Sequence, residues 1–126
     1  MDSNRYVRQI ALPNIKEEGQ KIISSLRILV FGCGALGCSC AEFLTRAGVQ
    51  FLRLVDRDVV EWSNLQRQHL FAEPDALARL PKAKAAEQRL RQINHHVIIE
   101  SLVLDVNAQN IESLIDGVDA IIDATD

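Results

Sequence analysis

The sequence predicts an α/β domain built on a doubly wound, mainly parallel sheet. Three observations point there. Two apolar runs rich in β-branched and aromatic residues, 26–31 and 51–55, flank a segment of helical period. A glycine loop, Gly32-Cys33-Gly34-Ala35-Leu36-Gly37, joins the first run to that segment. Two further apolar runs, 97–104 and 118–123, follow with a helical pattern between them, as expected of a chain that alternates strands and helices.

The elements follow in order. Residues 1–25 read as a helical extension, with Tyr6, Ile10 and Leu12 near one face and a more polar segment, 16–24, interrupted by Gly19. Residues 26–31 form the first strand. From Ala35 to Ala47 the residues Leu36, Cys40, Phe43, Leu44 and Ala47 make one apolar stripe, predicted to face the core. Gly48 suits the left-handed residue that ends a helix. Residues 51–55 form the second strand, and a strand-helix-strand order implies a right-handed crossover and parallel pairing. The stretch 56–81 reads as a long polar loop, the usual mark of a functional segment. Pro81 fits the first turn of a helix running to Gln92. A third strand at 97–104, a short helix at 110–115 and a fourth strand at 118–123 complete the count. The chain stops at Asp126, directly after a strand. The expectation is one domain over 1–126, the N-terminal half of a Rossmann-like sheet, truncated after Asp126 with an edge left uncovered.

Composition narrows the function classes. Of 126 residues, 48% are hydrophobic and 25% charged, with a net charge of −3, which suits a globular protein and argues against general nucleic-acid binding. No apolar run is long enough to span a membrane, and the first residues carry no apolar signal region, so a cytoplasmic location is expected. Cys33, Cys38 and Cys40 are odd in number and lack metal-site spacing. They are read as small, buried, reduced side chains. His69, His95 and His96 are read as surface residues.

The chemistry centres on the glycine loop. It follows a strand and opens a helix, so Gly32 permits the turn, Gly34 lets backbone approach a phosphate, and Gly37 lets the helix pack on the sheet. The helix N-terminus then offers free N–H groups to an anion. Asp56 lies nineteen positions after Gly37, at the end of the second strand, where a carboxylate takes ribose hydroxyls. A nicotinamide dinucleotide and ATP both satisfy these features. Ser63 is placed to cap a helical turn that puts Asn64, Arg67 and Gln68 on one face. An Asn and an Arg beside a bound nucleotide suit a chain of phosphates better than a nicotinamide ring.

Six elements in order carry a family resemblance. Arg5-Tyr6-Val7-Arg8-Gln9, the glycine loop, Asp56-x-Asp58, Ser63-Asn64-Leu65-Gln66-Arg67-Gln68, Pro81-Lys82 and Asp123-Ala124-Thr125-Asp126 resemble the ThiF/MoeB adenylyltransferases. These are bacterial relatives of ubiquitin-activating enzymes that serve thiamine and molybdopterin biosynthesis, and the thiamine-type branch is the nearer. The resemblance covers the chain from Arg5 to its end. It implies a nucleotidyltransferase that uses ATP and Mg²⁺ to adenylylate the Gly-Gly carboxylate of a small ubiquitin-like sulfur-carrier protein. By the same resemblance Asp56 holds ribose, Asn64 and Arg67 contact phosphates, and Lys82 neutralises charge at the α-phosphate. Arg8 reaches the γ-phosphate of the other subunit of a homodimer, and Asp126 helps hold Mg²⁺. The family glycine before Pro-Lys is replaced here by Arg79-Leu80. The family's zinc-binding Cys-x-x-Cys pairs, catalytic thiol and carrier-docking surface fall beyond Asp126. Two other readings stand beside this one: an NAD-dependent oxidoreductase, which leaves Arg8, Arg67 and Lys82 without a task, and a catalytically silent binding half.

Overall fold

The computed structural model describes residues 4–126; the first three positions of the expected helical extension lie outside the described residues. Helices α1 (Val7–Ile10) and α2 (Lys16–Ile23) precede β1 (Arg27–Phe31), α3 (Ala35–Ala47) and β2 (Phe51–Val55). A 3₁₀ turn (Trp62–Asn64), α4 (Glu73–Leu77) and α5 (Lys82–Ile93) lead to β3 (Ile98–Leu102), α6 (Ile111–Ile115) and β4 (Ala120–Asp123). The segment expected to be one long loop therefore carries a turn and a short helix. The four strands pair in the order β3-β2-β1-β4, all parallel, which is the doubly wound arrangement.

Side chains alternate across the central strand. Ile28 and Val30 join Leu52, Leu54, Ile99 and Leu90 under α3 and α5. Leu29 and Phe31 point to the other face, where Val55 and Leu114 of α6 meet them. Both faces of β1 are thus buried, which explains its unbroken apolar run.

The face that α3 buries differs from the expected stripe. Leu36 and Phe43 are 61% and 68% exposed, whereas Gly37, Cys38, Ala41 and Thr45 are buried. The cause is steric. A Cβ at Gly37 would lie 1.8 Å from the Gly32 carbonyl oxygen. The helix therefore turns small residues toward the sheet; Leu36 and Phe43 face outward, while Leu44 of the expected stripe still packs against the core.

The far end of α3 ties the helical extension to the domain. Gly48 ends the helix at φ 89°, and a Cβ there would lie 2.4 Å from the Tyr6 ring. Asn94 Nδ2 donates to the Tyr6 hydroxyl at 2.9 Å and to the Thr45 carbonyl at 3.0 Å. Gln9 and Gln20 both donate to the Ala47 carbonyl. The last carbonyls of a helix need such partners, and here two of the donors come from the extension itself.

Helix α4 ends in a Schellman motif. Leu80 N–H donates to the Asp75 carbonyl and Arg79 N–H to the Ala76 carbonyl, both at 3.1 Å. Arg79 occupies the left-handed position at φ 51°, where glycine is favoured. An L-residue there costs about 1–2 kcal/mol. Arg79→Gly is therefore expected to raise thermal stability by about 3–5 °C, read by calorimetry. A lower melting temperature would mean that Arg79 makes a compensating contact.

Candidate functional site

The sheet order creates a switch point at the C-terminal edge. From β1 the chain crosses to β2 on one side, and from β3 it crosses back to β4 on the other side of β1, so the direction of winding reverses between β1 and β4. A cavity of about 920 Å³ opens there, within the range typical of small-molecule sites. The loops after β1, β2, β3 and β4 all contribute to its lining.

The glycine loop forms its floor. Gly32 adopts φ 91°, and a Cβ there would lie 2.7 Å from the Ala124 carbonyl oxygen. Its N–H donates to the Val55 carbonyl, and Ala124 N–H donates to the Phe31 carbonyl, which locks the loop between its neighbours. Gly34 caps the start of helix α3, and its carbonyl accepts the Cys38 N–H at 2.9 Å. The N–H groups of the first turn are left without helical partners, and Ala35 and Leu36 of that turn line the cavity. Gly34 differs from the other two glycines. A Cβ there would meet only Gln68 Nε2, at 3.8 Å, and its φ is −83°. Nothing among the described residues demands a glycine at this position, and the space a side chain would take is open to the cavity.

Asp56 organises the floor from the side. Its Oδ2 accepts the Cys33 N–H at 2.8 Å and its Oδ1 accepts the Asp58 N–H at 2.7 Å. Each carboxylate oxygen retains acceptor capacity toward a diol. The Asp58 carbonyl accepts the Lys82 N–H, and a bridge between Val59 and Pro81 fixes the start of α5. Pro81 is therefore the cap residue of α5, one place before the helical turn expected for it. Lys82 is only 8% exposed, with Nζ 4.0 Å from Asp58 Oδ2.

The polar turn is capped differently from the sequence expectation. Glu61, not Ser63, precedes the 3₁₀ turn, and Glu61 N–H donates to Asn64 Oδ1 at 2.8 Å. The Ser63 carbonyl instead accepts from Arg67 Nη1 at 3.0 Å. The outcome anticipated for the turn still holds, since Asn64, Arg67 and Gln68 all line the cavity.

Gly32, Gly34, Asp56, Asn64, Arg67, Lys82 and Asp126 meet at one site. Gly37 lies behind it, in contact with Gly32. Arg8 does not join them. Its helix α1 packs at the C-terminal end of α3, and a 13-residue helix separates that end from the glycine loop by about 20 Å. Sequence reasoning missed Arg57, Asp105 and Thr125. Arg57 pairs with Asp105 at 2.9 Å across the lips of the β2 and β3 loops, and no local pattern marks that pairing. The Thr125 hydroxyl, and then its N–H, bond the Asp123 carboxylate and hold its pKa below the usual range.

Five carboxylates (Asp56, Asp58, Asp105, Asp123 and Asp126) and three cations (Arg57, Arg67 and Lys82) line the cavity. Among the described residues no group of three or more His, Cys, Asp or Glu is placed to hold a metal ion. The donor set suits Mg²⁺, which is commonly held by one or two carboxylates together with substrate phosphates.

The cysteines are structural in part. Cys33 lies in the loop and Cys38 on α3, both buried, and Cys40 is half-buried. Burial, aided by the Asp56 charge, pushes the Cys33 thiol far up, and burial raises the Cys38 thiol to about 11. His95 and His96 are exposed, and His69 lies 3.3 Å from Glu42 at the surface. Among the described residues no helix is long and apolar enough to cross a membrane.

A family model described as the ThiF family matches residues 6–126. The chain is 49% identical, over 98% of its length, to the sulfur carrier protein ThiS adenylyltransferase of Bacillus subtilis, of which it covers 37%. It is 38% identical, over 97% of its length, to the molybdopterin-synthase adenylyltransferase of Haemophilus influenzae, of which it covers 49%. Among solved structures, E. coli tRNA N6-threonylcarbamoyladenosine dehydratase TcdA in complex with AMP superimposes with a TM-score of 0.91 at 28% identity. That match takes in all of this chain and 51% of the other. The chain thus spans between a third and a half of the length of these two relatives.

Two outcomes follow from the geometry. Gly34→Ala is expected to cost about 1 kcal/mol or less while abolishing nucleotide binding, whereas Gly37→Ala loses about 3 kcal/mol. Chemical denaturation and nucleotide titration of both variants distinguish them; equal instability would remove the ligand argument for Gly34. Iodoacetamide at pH 8 is expected to label Cys40 well before Cys33 and Cys38, since buried thiols of raised pKa supply little thiolate. Peptide mass spectrometry reads the order, and early labelling of Cys33 would contradict it.

Proposed function

The chain belongs to the ThiF family, and from that premise we propose that it forms the nucleotide site of an ATP-dependent adenylyltransferase. Its substrate is the C-terminal Gly-Gly carboxylate of a small ubiquitin-like sulfur-carrier protein, in thiamine or molybdopterin biosynthesis. The observation that carries this reading is the convergence of Asn64, Arg67 and Lys82 on the cavity that the glycine loop and Asp56 form. A hydride-transfer enzyme has no use for that set. The relatives named for ThiS and molybdopterin-synthase adenylylation, and the AMP complex of TcdA, support the same assignment.

In this mechanism the phosphates rest on the N-terminus of α3, whose free N–H groups and partial positive charge favour them. Asp56 receives the ribose hydroxyls. Arg67 and Asn64 hold the polyphosphate, and Lys82, buried at the head of α5, faces the α-phosphate. The carrier carboxylate is ionised at neutral pH and needs no general base. One of its oxygens forms a bond to the α-phosphorus as the bond to the bridging oxygen of the β-phosphate breaks. Acyl-adenylate and pyrophosphate result. The chain contributes positioning and charge neutralisation, which dominate such transfers.

Mg²⁺ belongs to this proposal, held by Asp126 together with the phosphates; its charge would offset the surplus of carboxylates around the cavity. A homodimer belongs to it as well. Arg8 is exposed and makes no side-chain bond among the described residues, and its distance from its own cavity suits action on a partner's γ-phosphate. A cytoplasmic site of action completes the reading.

Pyrophosphate exchange into ATP, with Mg²⁺ and a Gly-Gly-ended carrier, tests the proposal on the full-length protein. Lys82→Ala is expected to cut exchange by about 10²-fold or more. Absence of exchange in the wild type, or wild-type exchange in the variant, would overturn it.

A further inference from the structure

Gln68 is a polar side chain without a polar task inside the protein. The residue is only 4% exposed, and its Oε1 is fully buried with no hydrogen-bond partner among the described residues. Its backbone is firmly held, with its N–H donating to the Asn64 carbonyl at 2.8 Å and its carbonyl accepting the Phe71 N–H at 3.2 Å. The carboxamide is thus placed by the same turn that places Asn64 and Arg67, and it lines the same cavity. Apart from the adjoining chain, its Nε2 is the one atom of the described residues within 4 Å of where a Cβ of Gly34 would stand, at 3.8 Å. The orientation matters: with Nε2 toward the loop the carboxamide can donate to an anion there, which the oxygen end could not do.

A buried carboxamide with an orphaned end destabilises the free protein relative to an apolar side chain of the same shape. The packing offers nothing in return, because a side chain such as Met would fill the volume equally well. What the carboxamide does offer is its Nε2, which stands toward the Gly34 loop at the cavity with no partner among the described residues. We propose that Gln68 is a further nucleotide-binding residue, whose Nε2 donates to a phosphate oxygen seated on the Gly34 end of α3. It would complete, from above, the cradle that the first-turn N–H groups form from below. A neutral donor suits that place, because Lys82 and Arg67 already supply charge while a carboxamide fixes orientation. The inference rests on the ATP reading given above.

The test uses the full-length protein and two near-isosteric variants, Gln68→Met and Gln68→Glu. Melting temperature is measured without ligand, and Mg-ATP affinity by titration calorimetry. Gln68→Met is expected to melt at the wild-type temperature or above it, while its Kd for Mg-ATP rises about tenfold to a hundredfold. Gln68→Glu places an anionic oxygen against the phosphate and is expected to bind more weakly still. A purely structural Gln68 predicts the opposite split: a lower melting temperature in Gln68→Met with unchanged Kd, and this result would overturn the inference. Should Gln68→Glu fail to fold, Gln68→Met decides alone. Wild-type protein that does not bind Mg-ATP at all would remove the ATP reading and this inference with it. Wild-type binding matched by both variants would remove only the role of Gln68.

Discussion

The close approach of Gly37 to the carbonyl of Gly32 governs the arrangement of everything around the cavity. At this point the first turn of α3 touches the end of β1, and no room remains for even a methyl group. The contact sets the roll of α3 about its axis, so Ala41 and Thr45 follow Gly37 against the sheet while Leu36 and Phe43 turn outward. It also sets the pitch of the helix, so that the unpaired N–H groups of its first turn open on the switch point between β1 and β4. Because helices are rigid over this length, the far end of α3 is placed at the same time. There Gly48 accepts the Tyr6 ring, and Asn94 and Gln9 bind the last carbonyls. The glycine loop and the docking of the helical extension are two ends of one lever.

The segment 56–82 does for the side chains what α3 does for the backbone. Asp56 uses one carboxylate oxygen to hold the glycine loop and the other to hold its own turn. A backbone bond from Lys82 to Asp58 and the Val59–Pro81 bridge then bring α5 to the same rim. The turn at 62–64 delivers Asn64, Arg67 and Gln68 together. Arg67 and Lys82 are thus seated by backbone bonds, to Asn64 and Asp58, whereas Arg57 is held by its pair with Asp105; all three line a cavity that has more carboxylates than cations. Preorganisation of this sort lets fixed charges and dipoles act on a phosphate without rearrangement during reaction.

Much of this was legible in the sequence, for identifiable reasons. The strands were legible because β1 and β2 are buried on both faces and so read as continuous apolar runs. The glycine loop was legible because its chemistry is local: a turn, a close approach and a helix start within six residues. The face of α3 was misread because hydrophobic periodicity weighs large side chains, whereas this helix buries its small ones. The cap of the polar turn lies two positions before the expected one, because Asn64 Oδ1 accepts the Glu61 N–H while Ser63 accepts from Arg67 through its carbonyl. The pairing of Arg57 with Asp105 left no trace in the sequence, since it joins loops that follow different strands.

The amino-acid sequence by itself determined the order of the strands, the parallel sheet, the glycine loop and the family to which the chain belongs, because each is written in short-range pattern and spacing. The tertiary structure alone decided which of the polar residues share a cavity, which face of α3 is covered, that Arg8 stands about 20 Å from its own glycine loop, and that Gln68 is buried without a partner. Those properties depend on where a strand's end, a helix's roll and a loop's return meet in space. No run of neighbouring residues carries that information.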